Sequence, residues 1–380
     1  MNTANVSIIV PTFNRAHYLA ECLDSLLAQS IPAHEIIVID DGSEDGTAAL
    51  LVGYGERIRY VRKENGGKPS AVNLGLAIAS GDLIWIFDDD DVALPDAIET
   101  RLACLNAHPE ADFVYSPHYL GSDGPDGRIQ RGRQQKIPHF DDEAFFLELM
   151  KGCFFHLATA LVRADVYRLV GGFDADLLSS EDYDMQLRLA RACQPVFSPE
   201  ASFIFRKHAG LRGAKSIRYH VAQRGAVFRK FDQRVGQKLR LSLALGEYLV
   251  PRQTGELSSD AYKQALLNRM TVMASKGCIP EMFDDLRQVL SLHSTGVDLC
   301  SSDLQQISEA MRTGYAYEAC RQDWSGFLKL VHGLKAFPHG ALAVRALAAG
   351  AFAMAKGYPD SFAGRIGKLR TALSLRMAAL

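Results

Sequence analysis

The sequence predicts an α/β protein with a doubly wound, mainly parallel sheet, followed by an all-α region. Three observations support this reading. Over the first half of the chain, short apolar runs of strand length and β-rich composition alternate with helical patterns. Two of those runs, Glu35 to Ile39 and Leu83 to Phe87, end in acidic clusters, which an open α/β sheet places at the crevice beyond its strand ends. Beyond about residue 220 only helical periodicity remains. A chain of 380 residues is long for one domain, and the change of pattern divides it into residues 1–220 and 221–380.

The elements follow in order. Val6 to Val10 is an apolar strand closed by Pro11, and Ala16 to Gln29 places Leu19, Cys22, Leu23, Leu26 and Leu27 on one helical face. Glu35 to Ile39 is a second buried strand, ending in Asp40-Asp41-Gly42-Ser43, after which Asp45-Gly46-Thr47 turns into a helix. Ile58 to Val61 is a third strand. Asn65-Gly66-Gly67-Lys68 opens a helix with apolar Ala71, Leu74, Leu76 and Ile78. Gly81 then leads into the Leu83–Phe87 strand, which stops at four consecutive aspartates, Asp88 to Asp91. Like charges this close need an offsetting partner, and hard oxygen ligands suit Mg²⁺ or Mn²⁺. The competing reading is a solvated acidic turn before a helix starting at Pro95, with Asp91 or Asp96 assisting the cap. Likewise Asp40-Asp41-Gly42 reads either as an ordinary turn or as acceptors for a bound nucleobase or ribose.

Between Tyr115 and Phe155 glycine, proline and arginine are frequent, which predicts a loop over the site. Gly171 to Asp174 reads as a turn. Ser179 to Asp184 precedes a helix with Met185, Leu187, Leu189 and Ala190 on one side and Arg188 and Arg191 on the other. Its acids either cap the helix or do chemistry. Phe205-Arg206-Lys207-His208 ends an extended segment. Farther on, helices are expected over Tyr262–Ala274, Met282–Leu292, Leu304–Tyr315, Phe327–Leu334, Ala341–Ala355 and Ser361–Leu380.

Composition narrows the function. Lysine and arginine (42) nearly balance aspartate and glutamate (44), so nothing points to nucleic acid as a partner. The seven cysteines are scattered without a CxxC pair, which fits a reducing compartment and makes cytosol the expected location. The N-terminus lacks a basic n-region and reads as a strand rather than a signal peptide. The longest apolar run, Ala341 to Ala355, carries Arg345 and is too short to span a bilayer. Neither GxGxxG nor GxxxxGK[ST] is present, which removes the dinucleotide fingerprint and the P-loop.

Taken together, VSIIVPTFNRAHYLAECLDSLLAQS, EIIVIDDGSEDGT and NGGKPSAVNLGLAIASGDLIWIFDDDDVALP resemble the nucleotide-sugar-binding half of the family 2 glycosyltransferases, which have the GT-A fold. The likeness covers roughly residues 5–210. It implies that Pro11, Thr12 and Phe13 wall the nucleobase, that Asp41 accepts from the base, and that Lys68 lies near the diphosphate. It makes Asp88-Asp89-Asp90 the DxD motif, with Asp88 and Asp89 on the donor side and Asp88 and Asp90 as metal ligands. His208, in an R-x-H pattern with Arg206, completes the metal shell by the same resemblance. GGFDADLLSSEDYDMQLRLA is similar to the segment bearing the ED motif, which makes Asp182 the general base and gives Glu181 a supporting role. Where many family members carry arginine before the Asn of the GGK helix, this chain has Val72 before Asn73.

The implied protein is an inverting, metal-dependent transferase of one sugar from a nucleoside diphosphate sugar, UDP-linked by preference, to a glycan or lipid-linked acceptor in surface polysaccharide or glycolipid assembly. Mn²⁺ or Mg²⁺ is the implied cofactor. The QxxRW motif and membrane spans of processive members are absent, which favours single-sugar addition. A nucleotidyltransferase would use a similar sheet and metal, but would need a basic glycine-rich loop where Pro11 to Arg15 has one cation and no glycine. A non-catalytic nucleotide-sugar-binding scaffold has no use for Glu181-Asp182. Finally, Lys335, Arg345, Lys356, Arg365, Lys368, Arg370 and Arg376 make the C-terminal helices basic and amphipathic. Such helices either pack on protein or lie on an anionic membrane surface.

Overall fold

The structure, a computed structural model, describes residues 4–208, 210, 219, 220 and 223–355. It divides into two compact units, Met1–Asp142 with Cys153–Phe228, and Glu143–Gly152 with Arg229–Leu380.

In the first unit the chain runs β1 (Val6–Thr12), α1 (Ala16–Leu27), β2 (Glu35–Asp40), α2 (Thr47–Val52), β3 (Arg59–Arg62), α3 (Lys68–Ile78) and β4 (Leu83–Ile86). After the aspartates come β5 (Val92–Ala93), α4 (Ala97–Ala107), β6 (Phe113–Tyr115), β7 (His118–Asp123) and β8 (Ile129–Gln135). Helix α5 (Asp142–Lys151) clusters almost wholly with the second unit. The first unit resumes with β9 (Leu161–Arg163), α6 (Ala164–Val170), α7 (Glu181–Ala192), β10 (Pro195–Phe197) and β11 (Phe203–Lys207). Seven strands form one sheet in the order β10-β6-β9-β4-β1-β2-β3, parallel except for β9, which runs against both β4 and β6. A second sheet, unforeseen in the sequence, has the order β5-β11-β7-β8.

Apolar runs form the central strands because both faces are covered. All seven residues of β1 are buried, with Ile8, Val10, Leu19, Leu23, Val38, Trp85 and Phe203 in one core. On the other face α3 approaches so closely that a Cβ at Gly75 would lie 2.4 Å from Ile9 Cγ2, so only glycine fits. Pro11 does not close β1, which continues through Thr12. Ile9 faces β4 and Thr12 faces β2 through their carbonyls, so alternation turns the nitrogen of Pro11 toward the β4 side. There the β4 ladder has already ended at Ile9, and the missing N–H costs no strand pairing.

The expected loop between Tyr115 and Phe155 contains the β7–β8 hairpin and helix α5 instead. Strand β8, IQRGRQQ, is exposed along most of its length and lacks apolar alternation, which is why its pairing with β7 leaves no mark in the sequence. Asp96 is the N-cap residue of α4, but its side chain makes no capping bond; Asp91 accepts the Arg206 N–H at 2.8 Å.

Helix α8 (Arg224–Ser242) leads into the second unit, which continues with α9 (Ser259–Ser275), α10 (Ile279–Ser291), α11 (Ser301–Ala310), α12 (Ala316–Gln322), α13 (Trp324–Leu334) and α14 (Gly340–Ala355). Helix α9 starts at Ser258, whose side chain accepts the Ala261 N–H at 3.2 Å. Asp285 on α10 is fully buried and bonds Arg240 of α8 at 2.6 Å and Arg269 of α9 at 2.7 Å, fastening three helices. The helix expected to run to Tyr315 ends at Ala310; Gly314, at φ +42°, lies so close to Ser275 that a Cβ there would meet its carbonyl oxygen at 2.1 Å. No helix of the described residues is long and apolar enough to cross a membrane. Of the basic C-terminal residues only Lys335 and Arg345 are described; the others, and the helix expected over Ser361–Leu380, lie outside the described residues.

Candidate active site

The carboxyl ends of β1, β2 and β4 meet the start of α3 and α7 on one edge of the larger sheet. Pro11 and Thr12 are buried at the end of β1 with Phe13 half-buried behind them. Asn14 follows in the left-handed region at φ +55°, which asparagine tolerates better than most residues. Its N–H donates to Ser43 Oγ at 2.9 Å and its Oδ1 accepts the Glu44 N–H at 2.7 Å, sewing the loops after β1 and β2 together. Sequence reasoning passed over Asn14; its only signal is the residue type.

Asp40 and Asp41 divide their work. Asp40, fully buried, accepts the Ser43 N–H at 2.7 Å and the Tyr60 hydroxyl at 3.1 Å. Asp41 takes four donors: Lys63 Nζ at 2.7 Å, Asn65 Nδ2 at 3.1 Å, and the N–H groups of Gly66 and Gly67 at 2.9 and 2.7 Å. Glycine is required at position 67, which stands at φ +85° before α3. Asp41 therefore braces the turn that delivers Lys68, and a nucleobase donor would join a carboxylate already bonded at both oxygens.

Lys68 is the centre of the cluster. Its Nζ lies 2.7 Å from Asp88 Oδ1, 2.9 Å from Asp182 Oδ2 and 3.9 Å from Glu181 Oε1. Burial by itself would lower the lysine pKa, but Asp182, Asp88 and Glu181 outweigh it and hold the ammonium well above its ordinary range. The second oxygen of Asp182, Oδ1, is buried without a hydrogen-bond partner among the described residues. Burial, and then the neighbouring Asp182, push Glu181 up to about 7. Both acids sit in the first turn of α7, just after Ser180 at φ +61°, a conformation that costs an L-residue roughly 1–2 kcal/mol. Asp184 in the same turn bonds Arg188 at 2.9 Å and serves the helix. Asn73 of α3 pins the Gly171–Asp174 turn by bonding both the N–H and the carbonyl of Phe173, at 2.7 and 2.9 Å. Val72, at the position where arginine is common in the resembling family, is fully buried and offers no cation.

Asp90 faces elsewhere. Its Oδ2 is 2.9 Å from His208 Nε2 and 3.6 Å from Arg15 Nη1. The smaller sheet makes this possible: β5 and β11 pair antiparallel, Ile204 opposite Val92, which brings the chain after β11 back past the aspartates. Arg206 secures the arrangement. Fully buried, it donates through Nε to the Asp90 carbonyl at 2.7 Å and through its two terminal nitrogens to Asp123 and Glu21. Burial, then Asp90, push the half-buried Asp89 up to about 7. Two of the three expected metal ligands, Asp90 and His208, are thus adjacent, while the third, Asp88, turns to Lys68. Carboxylates with one imidazole form a donor set suited to Mn²⁺ or Mg²⁺.

His156, on the segment before β9, also feels this cluster. Burial lowers its pKa, and the charges of Asp88 and Asp182 oppose that shift.

Comparison with known proteins gives the following. Residues 7–171 match the family described as "Glycosyl transferase family 2". An uncharacterized glycosyltransferase of Rickettsia bellii is 31% identical over 271 residues, 70% of this chain and 39% of that protein. A chondroitin synthase of Pasteurella multocida is 32% identical over 188 residues, 49% of this chain and 19% of that protein. The chain thus spans well under half the length of either relative. Among solved structures, S. aureus TarS 1-349 in complex with UDP-GlcNAc superposes with a TM-score of 0.51 at 18% identity, covering 78% of this chain and 95% of that one, a likeness of fold alone.

Proposed function

The chain carries a family 2 glycosyltransferase domain over residues 7–171, and on that premise we propose that the protein is an inverting, divalent-metal-dependent transferase. It moves one sugar from a nucleoside diphosphate sugar to the hydroxyl of a glycan or lipid-linked acceptor. The observation that carries the reading is the position of Lys68, bonded at once to Asp88 at 2.7 Å and to Asp182 at 2.9 Å. Leaving-group departure and acceptor deprotonation have to occur on opposite sides of one anomeric carbon, so carboxylates for both tasks must share a small volume.

In this reading Pro11, Thr12 and Phe13 flank the base and Asp41 accepts from it while holding the turn before Lys68. Asp88, Asp90 and His208 would hold Mn²⁺ or Mg²⁺, which supplies Lewis-acid stabilisation to the departing diphosphate. Lys68 adds a fixed positive charge on the same side. The free Oδ1 of Asp182 takes the acceptor proton, and Glu181 orients the acceptor. Because Asp182 receives that proton from a nucleophile opposite the leaving group, the product is inverted at the anomeric carbon. UDP is the first nucleotide to test, since UDP-GlcNAc is bound in the TarS complex.

The test has two stages. Melting temperature is measured with UDP, GDP, dTDP and CMP, each with and without Mn²⁺ or Mg²⁺, since a ligand of the native state must raise it. A metal-dependent rise with one nucleoside diphosphate is expected. Asp182→Asn should keep that rise and lose release of nucleoside diphosphate from the donor sugar by at least about a hundredfold, as a base acting in the transition state requires. Undiminished turnover in this variant removes Asp182 from its role.

A further inference from the structure

Three side chains converge in the second unit, on residues no part of the transfer reaction uses. His293 lies in the 3-10 turn Leu292–Thr295 after α10, Asp298 in the loop that follows, and His339 immediately before α14. One ligand atom from each lies within 4.8 Å of the other two. Both histidines present Nδ1 to the same carboxylate oxygen, His293 in direct hydrogen-bond contact and His339 at 3.6 Å. Their rings meet edge to face with centroids 4.9 Å apart.

The convergence is held from several sides. His339 stands at φ +57°, a left-handed conformation that costs a non-glycine residue about 1–2 kcal/mol. Lys263 of α9 donates to the Asp298 carbonyl at 3.2 Å. Its charge is engaged by Asp303 at 3.0 Å, so it opposes a cation at Asp298 only weakly.

We propose that His293, Asp298 and His339 form a binding site for a zinc-type divalent cation. Two imidazole nitrogens and one carboxylate oxygen match the ligand preference of Zn²⁺, whereas Mg²⁺ and Mn²⁺ favour oxygen-rich sets such as the one around Asp90. Metal–ligand distances of about 2.0–2.2 Å in a tetrahedron require ligand atoms roughly 3.3–3.5 Å apart, which small side-chain rotations reach from the present separations. His293 and Asp298 are exposed, so water completes the fourth position. Metal at Nδ1 requires each ring to be neutral with its proton on Nε2, so a neutral imidazole that gives Nδ1–H to Asp298 changes tautomer, and a doubly protonated one releases a single proton to solvent. Bound metal would staple the turn after α10 to the start of α14, and so serve the fold of the helical unit.

The full chain, stripped with a chelator, is titrated with Zn²⁺ against a chromophoric competitor. It is compared with His293→Ala/His339→Ala and with Asp90→Asn/His208→Ala. The expected result is one tight equivalent of zinc that the first double variant lacks and the second retains, with Asp298→Asn, a milder change, weakening it at least about tenfold. Equal zinc stoichiometry and affinity in the wild type and in His293→Ala/His339→Ala overturns the proposal.

Discussion

His118 couples the stability of the candidate site to pH. It opens β7, is 2% exposed, and stacks on Phe203 of β11 with centroids 5.3 Å apart, while His156 meets its edge at 4.7 Å. Its Nδ1 has no hydrogen-bond partner among the described residues. Burial, aided by His156, lowers its pKa from 6.5 to about 3. The folded protein keeps this ring neutral where the unfolded chain would protonate it. The unfolded state therefore binds the extra proton, and stability falls as the pH drops below about 6.5, down to the folded-state value. Across the whole interval the shift amounts to roughly 5 kcal/mol, of which about 2 kcal/mol is lost between pH 8 and pH 5.

Replacing His118 with Phe keeps an aromatic ring against Phe203 and removes the titrating group. Only Trp85 and Trp324 absorb and emit as tryptophan, so a Trp324→Phe background makes the buried Trp85 the sole tryptophan reporter of the first unit. Urea unfolding followed by its fluorescence at pH 8 and pH 5 gives the stability difference in each background. His118→Phe should reduce the loss between those pH values by about 2 kcal/mol, whatever it does to absolute stability. The comparison cancels the carboxylates common to both proteins. An identical loss in both would refute the claim that His118 is buried neutral.

Other perturbations follow from the same contacts. Arg206→Met leaves Glu21, Asp123 and the Asp90 carbonyl without their shared donor and should cost about 3 kcal/mol by urea unfolding, with metal-dependent nucleotide binding lost. Arg206→Lys should recover less than half of that cost, since one ammonium cannot reach three acceptors set for a guanidinium fork. Asp285→Asn uncouples Arg240 and Arg269 at a site with no exposure and should destabilise the helical unit by about 3–5 kcal/mol, read from Trp324 in a Trp85→Phe background; a loss below about 1 kcal/mol would contradict the clamp. Lys68→Met should act in opposite directions on two measurements. The divalent ion alone should bind tighter, since Asp88 loses its competing cation, while the metal–nucleotide complex binds weaker; weakening of both would make Lys68 merely structural.

What the sequence could convey depended on burial and on distance along the chain. Strands β1, β2 and β4 are covered on both faces, so their apolar runs stand out without any partner being known. The acidic ends of β2 and β4 are local as well, and so is the acidic start of α7. Strand β8 has no buried face to impose a pattern, and α8 buries only Phe231, Val235, Gly236 and Leu239 of nineteen residues, so neither is legible. The site itself is assembled by contacts across 114 residues between Lys68 and Asp182 and 118 between Asp90 and His208. No periodicity encodes those separations; only resemblance to a family whose motifs occupy the same positions could anticipate them.

The electrostatics explain why the three motifs are held together so tightly before any ligand arrives. Asp88, Glu181 and Asp182 face one lysine, and Asp89 and Glu181 are both pushed up to about 7 by burial and by their acidic neighbours. A site this acidic would repel a diphosphate. Lys68 and Arg15 offset part of that charge from within the protein, one against Asp88 and Asp182 and the other against Asp90. Under the proposed function, Asp88 and Asp90 would hold a divalent cation, which would compete with Lys68 for Asp88 and leave the ammonium available to the diphosphate. Charge on the carboxylates would then be met by a cation before and after such an exchange, so the site would not need to pass through a state with unpaired acids. On this argument the Asp41-braced turn matters as much as the aspartates, because it fixes the only lysine placed to make that exchange among the described residues in contact with Asp88 and Asp182.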